Sequence, residues 1–499
     1  MNDKLNKALD QVSDKYLSEA ENYKRVRHRP YWVGAIAAVL ALVIGISAAS
    51  GGLLPEPGPS LPIIQGSISD VPEPSGIQTP NTLQLANLIA APQYPEMAPR
   101  PCEDDYPDYN EYSVMLRAWE ESRKQQYDQP QGYADSLTDF FRQSIPLFLN
   151  ATENSAYSPV NVYMALAMLA ETTDGNSRQQ ILEVLGLDTI EQLREQVNHV
   201  WNAHYQDDGV TTLLLGNSLW LDEAFSFRQD TVNLLASNYY ASSFRGDLGT
   251  AAMDEQLQAW LNANTGDLLQ EQAKNIKMDP STIFALASTV YFAADWESEF
   301  SPKNTQDMLF HCGEHDLMTP FMRKTLSYGT YYRGSNFGAV CLELGGENSM
   351  WLILPDEGYA VADILESDEY LNLTMTGRCE GRGTYKIHLS LPKFDVVSET
   401  NLIDGLKEMG ITDVFDPTIS DFSPLTDTPA LYVGGASHAA RVTIDEEGCL
   451  AAAFTVLLTY ATSAGDPPPE IDFTLDRPFL FVISSRDDLP LFVGNVAEP

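Results

Sequence analysis

The run WVGAIAAVLALVIGISAA, Trp32 to Ala49, carries no charge, and any fold open to this chain must give it an apolar home. As a helix it would span about 27 Å, close to the hydrocarbon thickness of a bilayer. Lys24, Arg25, Arg27 and Arg29 precede it, Pro30 stands where a helix can begin, and Tyr31 and Trp32 suit interfacial depth. The pattern predicts a transmembrane signal-anchor helix over 32–49, with residues 1–31 cytoplasmic and everything after it outside the cell membrane, because basic flanks stay inside. The alternative is a cleaved signal peptide, for which Ser47 and Ala49 offer a small-residue cleavage site. About thirty residues precede the run, more than a signal peptide's basic leader holds. Leu5, Leu9, Val12, Tyr16 and Leu17 recur at helical spacing and predict a short amphipathic helix in the cytoplasmic piece.

Charge narrows the partners. With 70 acidic residues against 30 Lys and Arg, a formal charge of -40, the chain repels phosphate, so a nucleic-acid partner is not expected. Residues 50–132 open with Pro55, Pro57, Pro59, Pro62, Pro72, Pro74 and Pro80, which favour an extended stalk or linker outside the cell. Within that stretch EYSVMLRAWEESRKQQY has the length of a helix of about four turns. From residue 133 to 499 the periodicity is that of one globular domain. Leu137, Phe140, Phe141, Ile145 and Phe148 share a helix face, whereas TTLLLGNSLWL, IFALASTVYF and NSMWLILP read as strands and IHLSLPKFDVV alternates like a half-buried one. Helices and strands mix without a regular βαβ beat, which predicts an α+β fold.

Catalytic signatures are missing. There is no GxxxxGK[ST], HExxH or GxSxG, so an enzyme is not expected, and neither is a cofactor. His311 and His315 lie four apart around Cys312, but HCGEHDLMTP reads as a loop rather than a helix, so no metal site is expected. The five cysteines, Cys102, Cys312, Cys341, Cys379 and Cys449, fit no ligand or disulfide-scaffold spacing and are expected mostly to be buried thiols. One segment resists ordinary assignment: EEGCLAAAFTVLLTYATSAGDPPPE, Glu446 to Glu470. From Cys449 to Ala461 it has the small, β-branched and apolar character of a buried strand, yet three prolines stop it abruptly.

From about Ala134 to Pro499 the chain resembles the serpin family. The likeness is carried by SPVNVYMALAML at Ser158–Leu169, GNSRQQILEVLG at Gly175–Gly186 and STVYFAADWESEF at Ser288–Phe300, which holds Trp296. SLPKFDVV, GITDVF, Asp421–Phe422, DRPFLFVI and LFVGNVAEP follow in the family's order. The resemblance implies three β-sheets, eight or nine helices, a monomer and an exposed reactive-centre loop. It further implies a suicide inhibitor of serine proteases: the protease cuts the loop, forms its acyl-enzyme, and is trapped when the loop inserts as an extra strand in the main sheet.

Applied to this chain, the loop hinge is Glu446, Glu447, Gly448, Cys449, Leu450, Ala451, Ala452, Ala453, Phe454 and Thr455. Insertion buries alternate residues, here Cys449, Ala451, Ala453 and Thr455, all small and uncharged. Cys449 and Leu450 depart from the family's usual threonine and glutamate. The family's spacing puts the reactive bond at Thr462–Ser463, with Tyr460, Ala461 and Ala464 as neighbours. No Lys or Arg lies between Cys449 and Glu470, so the expected partners are elastase-like or subtilisin-like proteases. Ser158, Asn161, Ser288 and His438 correspond to a polar cluster beneath the opening sheet, with the family's usual serine and asparagine exchanged between positions 161 and 288. Trp296 stands at the top of that sheet. The anchor and stalk suit a bacterial surface. A rival expectation is a non-inhibitory scaffold whose loop is cut without trapping.

Overall fold

The computed structural model of the protein describes residues 36–48, 87–95, 97–102, 105–209, 211–313, 315–377, 381–446 and 467–499. Its strands, in chain order, are β1 (Ile36–Ala48), β2 (Leu88–Ala90), β3 (Ser155–Tyr157), β4 (Gln206–Asp207), β5 (Thr211–Asp222) and β6 (Ala241–Gly246). They continue with β7 (Thr282–Ala294), β8 (Gln306–His311), β9 (Asp316–Arg333), β10 (Phe337–Leu344), β11 (Asn348–Pro355) and β12 (Arg382–Pro392). The last are β13 (Phe394–Asn401), β14 (Leu431–Ile444), β15 (Glu470–Thr474), β16 (Phe479–Ser484) and β17 (Pro490–Val496). Eleven α-helices lie among the described residues, rather than eight or nine; the first three are α1 (Tyr109–Tyr127), α2 (Leu137–Phe148) and α3 (Pro159–Thr172).

One sheet runs β13-β14-β1-β7-β5-β6-β2, with β4 on β5. Every residue of β5 and β7 is buried, as expected of central strands covered on both faces. The other runs β15-β12-β9-β10-β11-β16-β17-β3, with β8 on β9. Two sheets therefore stand where three were expected. The reason is β9, an uninterrupted 18-residue strand: Asp316–Phe321 pair with β8, Phe321–Tyr332 pair with β12, and Thr330–Arg333 pair with β10. Helix α3 is buried from end to end and packs against β1 and β7 of one sheet and β17 of the other. Ser158 starts it, its Oγ accepting the Asn161 N–H at 3.2 Å.

The predicted transmembrane helix is not what the structure contains. Ile36–Ala48 is β1, the third strand of the first sheet, antiparallel to β14 on one side and to β7 on the other. Ala41, Leu42, Ile44 and Ile46 are at most 1 % exposed, and Val43 and Ser47 are buried too. A strand covered on both faces and a helix in lipid ask for the same thing, a continuous apolar run, so periodicity cannot separate them. Val43, Ile44 and Ile46 favour the strand, because β-branched side chains pack well on a pleated surface. No helix among the described residues is long and apolar enough to cross a membrane. The cytoplasmic piece, 1–31, lies outside the described residues.

The stretch 50–132 is not linker throughout. β2 pairs with β6 at the edge of the first sheet. Helix α1, capped by Asp108, docks through Arg123, whose Nη1 meets Asp208 Oδ2 at 2.5 Å with both side chains buried. Tyr127 adds the face on which the Arg486 guanidinium stacks, 3.8 Å from the ring centroid.

Candidate functional site

Strands β7 and β14 run in the same direction and are held apart by β1. The β1–β14 ladder extends from Ala37 opposite Thr443 to Ala48 opposite Leu431, and the β1–β7 ladder from Ile36 opposite Ala294 to Ser47 opposite Thr282. Between β7 and β14 there is thus a slot the full length of both strands, and it is filled from end to end.

At the middle of the slot Leu42 faces His438 on one side and Ser288 on the other. Directly paired residues share a sheet face, so Ser288 and His438, expected to belong to one cluster, stand two strand spacings apart, about 10 Å. His438 is 1 % exposed and packs against Tyr157 at 5.5 Å between ring centroids, the rings tilted by 40°. Neither of its ring nitrogens has a hydrogen-bond partner among the described residues, and neither does the Asn161 side-chain amide. Burial pushes the His438 pKa down to about 3, so the imidazole is neutral. The exchange of serine and asparagine between positions 161 and 288 therefore does not join these four residues in one network. Ser158 bonds Asn161 through the backbone alone, and Leu42 stands where His438 and Ser288 would meet.

At the upper end of the slot, past Ile444, the chain is pinned. Trp296, just beyond β7, donates from Nε1 to the Asp445 carbonyl at 3.0 Å. Glu446 Oε1 accepts from Thr305 Oγ1 at 2.6 Å, and Oε2 lies 2.7 Å from Lys393 Nζ. Burial opposes ionisation of Glu446, but the bonds from Lys393 and Thr305 outweigh it and hold the carboxyl below its usual range. Lys324 covers Phe300, with Nζ 4.4 Å from the ring centroid, and desolvation lowers its pKa to about 8. Trp296, expected at the top of the sheet, follows the end of β7 and contacts the chain just past β14. Thr305, Lys393 and Lys324 were not foreseen: the sequence offers no signal for the first, and Lys393 sits inside SLPKFDVV, which attracts notice only as a strand. The rest of the hinge, Glu447–Thr455, and the reactive-bond region, Tyr460–Ala464, lie outside the described residues.

Cys102, Cys312 and Cys341 are free thiols, each half-buried rather than fully buried. Burial lifts the Cys341 pKa to about 12. His311 and His315 do not face each other. His311 Nδ1 is 2.8 Å from Asp316 Oδ1, while His315 and Cys312 gather with Glu498, their ligand-type atoms within 4.8 Å of one another.

A sheet that admits a strand beside a pinned turn, in a chain carrying these motifs, matches one family. The model of the serpins, serine protease inhibitors, covers residues 138–499. The chain belongs to the serpin family. Membership makes it an inhibitor-family protein rather than an enzyme. It is 30% identical over 360 residues to alpha-1-antiproteinase 2 of Equus caballus, covering 70% of this chain and 82% of that one. To Serpin-Z10 of Arabidopsis thaliana it is 27% identical, over 69% of this chain and 92% of the other. Among solved structures, native tengpin, a thermophilic serpin, superposes with a TM-score of 0.64 at 24% identity, covering 74% of this chain and 95% of that one. Latent tengpin gives 0.59 at 21% identity, over 73% and 97%.

Proposed function

We propose that this serpin is a suicide inhibitor of serine proteases of the elastase-like or subtilisin-like kind, acting by cleavage near Thr462–Ser463 and insertion of the cut loop. One observation carries the reading: the first sheet accommodates a complete strand between β7 and β14, antiparallel to β14, which is the direction a segment turning back after Glu446 would take. The alternate small residues from Cys449 to Thr455 suit such an insertion. Membrane display on a bacterial surface, with residues 32–49 as a single-pass anchor and the inhibitor domain outside, belongs to the same proposal and needs those residues out of the sheet.

A second reading is favoured by that same strand. With β1 seated, the position an inserting loop requires is taken, and a chain locked in this state would be cut without trapping the protease. The test is to incubate the protein with pancreatic elastase, subtilisin and trypsin, in the parent form and with Leu42→Asp, which puts a charge into the buried ladder. Adducts that survive denaturing gels, with release of a C-terminal peptide beginning near Ser463, support inhibition. Clean cleavage by every enzyme in both forms supports the scaffold.

A further inference from the structure

We infer that residues 36–48 are a built-in competitor of the reactive loop, occupying as β1 the sheet position that loop insertion needs and holding the chain in a non-trapping state until they leave it. This rests on the loop-insertion reading above.

Exclusion follows from backbone chemistry. Each edge of a strand offers one row of N–H and C=O groups, and β1 already uses the facing edges of β7 and β14 along their whole length. β1 also runs in the direction that a loop descending from Glu446 would run, from Ile36 beside Ala294 at the hinge end to Ala48 beside Leu431 at the far end. The two segments therefore need the same donors and acceptors in the same orientation. Burial of Leu42, Ile44 and Ile46 supplies the attraction that keeps β1 in place.

The polar groups behind the slot mark the seated state as displaceable. His438 and Asn161 are fully buried with side-chain atoms that have no partner among the described residues, a cost that an optimised permanent strand would avoid. Both Ser288 and His438 face Leu42, so removing β1 and closing the gap sets the serine hydroxyl beside the imidazole and gives it a partner.

The experiment uses the full chain with two cysteine pairs, Ala41→Cys with Ala439→Cys and Ile44→Cys with Ala436→Cys. Both are directly opposed in the ladder, and because opposed pairs alternate between wide and narrow spacing, one of the two has the close geometry. Ala41→Cys with Ala436→Cys, not opposed, is the control. The expected result is an oxidant-induced crosslink from one opposed pair, absent from the control and abolished by Leu42→Asp. The crosslinked chain is cut by elastase or subtilisin with no denaturant-stable adduct and no rise in thermal midpoint. Leu42→Asp yields at least tenfold more adduct, and cutting its loop raises the midpoint. Absence of crosslinking in both opposed pairs overturns the inference, as does equal trapping by crosslinked and Leu42→Asp chains; either result leaves the inhibitor reading standing. If the crosslink forms and no variant traps any protease, the inhibitor reading itself fails and the strand has nothing to gate.

Discussion

Leu42 is wholly buried directly opposite His438 in the β1–β14 ladder, an apolar side chain where the imidazole has no hydrogen-bond partner among the described residues. The same leucine faces Ser288 on β7, so it separates two polar residues that a closed sheet would bring together.

That separation predicts an absent coupling. In a double-mutant cycle with Ser288→Ala and His438→Asn, the full chain should show additive losses, within about 0.5 kcal/mol, because the residues do not touch. The same cycle in the Leu42→Asp background should show about 1 kcal/mol of coupling, the net worth of one hydrogen bond. Urea unfolding of the four chains in each background measures it.

Acidification should destabilise the protein through His438. Its folded pKa of about 3 lies below the ordinary 6.5, so between those values the unfolded chain binds a proton that the folded chain refuses. Stability is then full above about pH 6.5 and declines as pH falls toward 3. His204, pushed down by burial, acts with the same sign. Replacing His438→Phe, which keeps a ring on Tyr157, should reduce the loss between pH 7 and pH 5 by about 2 kcal/mol. Denaturant titrations at the two pH values decide it; an unchanged difference would show that His438 titrates normally.

The hinge clamp makes a separate prediction. Lys393→Met removes the cation 2.7 Å from buried Glu446 and should cost about 2 kcal/mol, typical of losing a hydrogen bond to a charged group. Glu446→Gln, which keeps the Thr305 bond, should cost less. Because the folded carboxyl is held below its usual range, this contribution is present above the unfolded value and is lost as pH falls through the folded one. Faster proteolysis at residues 445–448 in Lys393→Met than in Glu446→Gln is the expected readout.

Target choice should move with the residue at the cut. Thr462→Arg places a basic side chain where the parent loop has none between Cys449 and Glu470, and should shift cleavage from elastase toward trypsin by at least a hundredfold in kcat/KM. Peptide mapping that finds trypsin cutting anywhere else would displace the assigned bond.

Lipid should compete with the sheet for residues 36–48. Reconstituting the full chain into phosphatidylcholine vesicles should lower the yield of the opposed-cysteine crosslink, since the same uncharged run satisfies a bilayer. An undiminished yield would remove the membrane anchor from the proposal.

Much of the body was legible because local signals and tertiary environment agree. SPVNVYMALAML, read as a family motif, became α3, and TTLLLGNSLWL and IFALASTVYF became β5 and β7, buried at every residue as unbroken apolar strands are. EYSVMLRAWEESRKQQY is α1; its length marked a helix that could dock, but the partner was hidden, since the Arg123–Asp208 pair joins positions 85 apart. The fusion of two sheets through β9 was equally hidden, because strand partners leave no mark on the strand itself.

For residues 32–49 the sequence by itself determined one property, that the segment must be enclosed by apolar matter on every side. It did not determine what encloses it. A helix in lipid satisfies its backbone internally, whereas a central strand borrows partners from both neighbours. Only the tertiary structure, by leaving β7 and β14 parallel and one strand-width apart, supplied those partners and made β1 of residues 36–48.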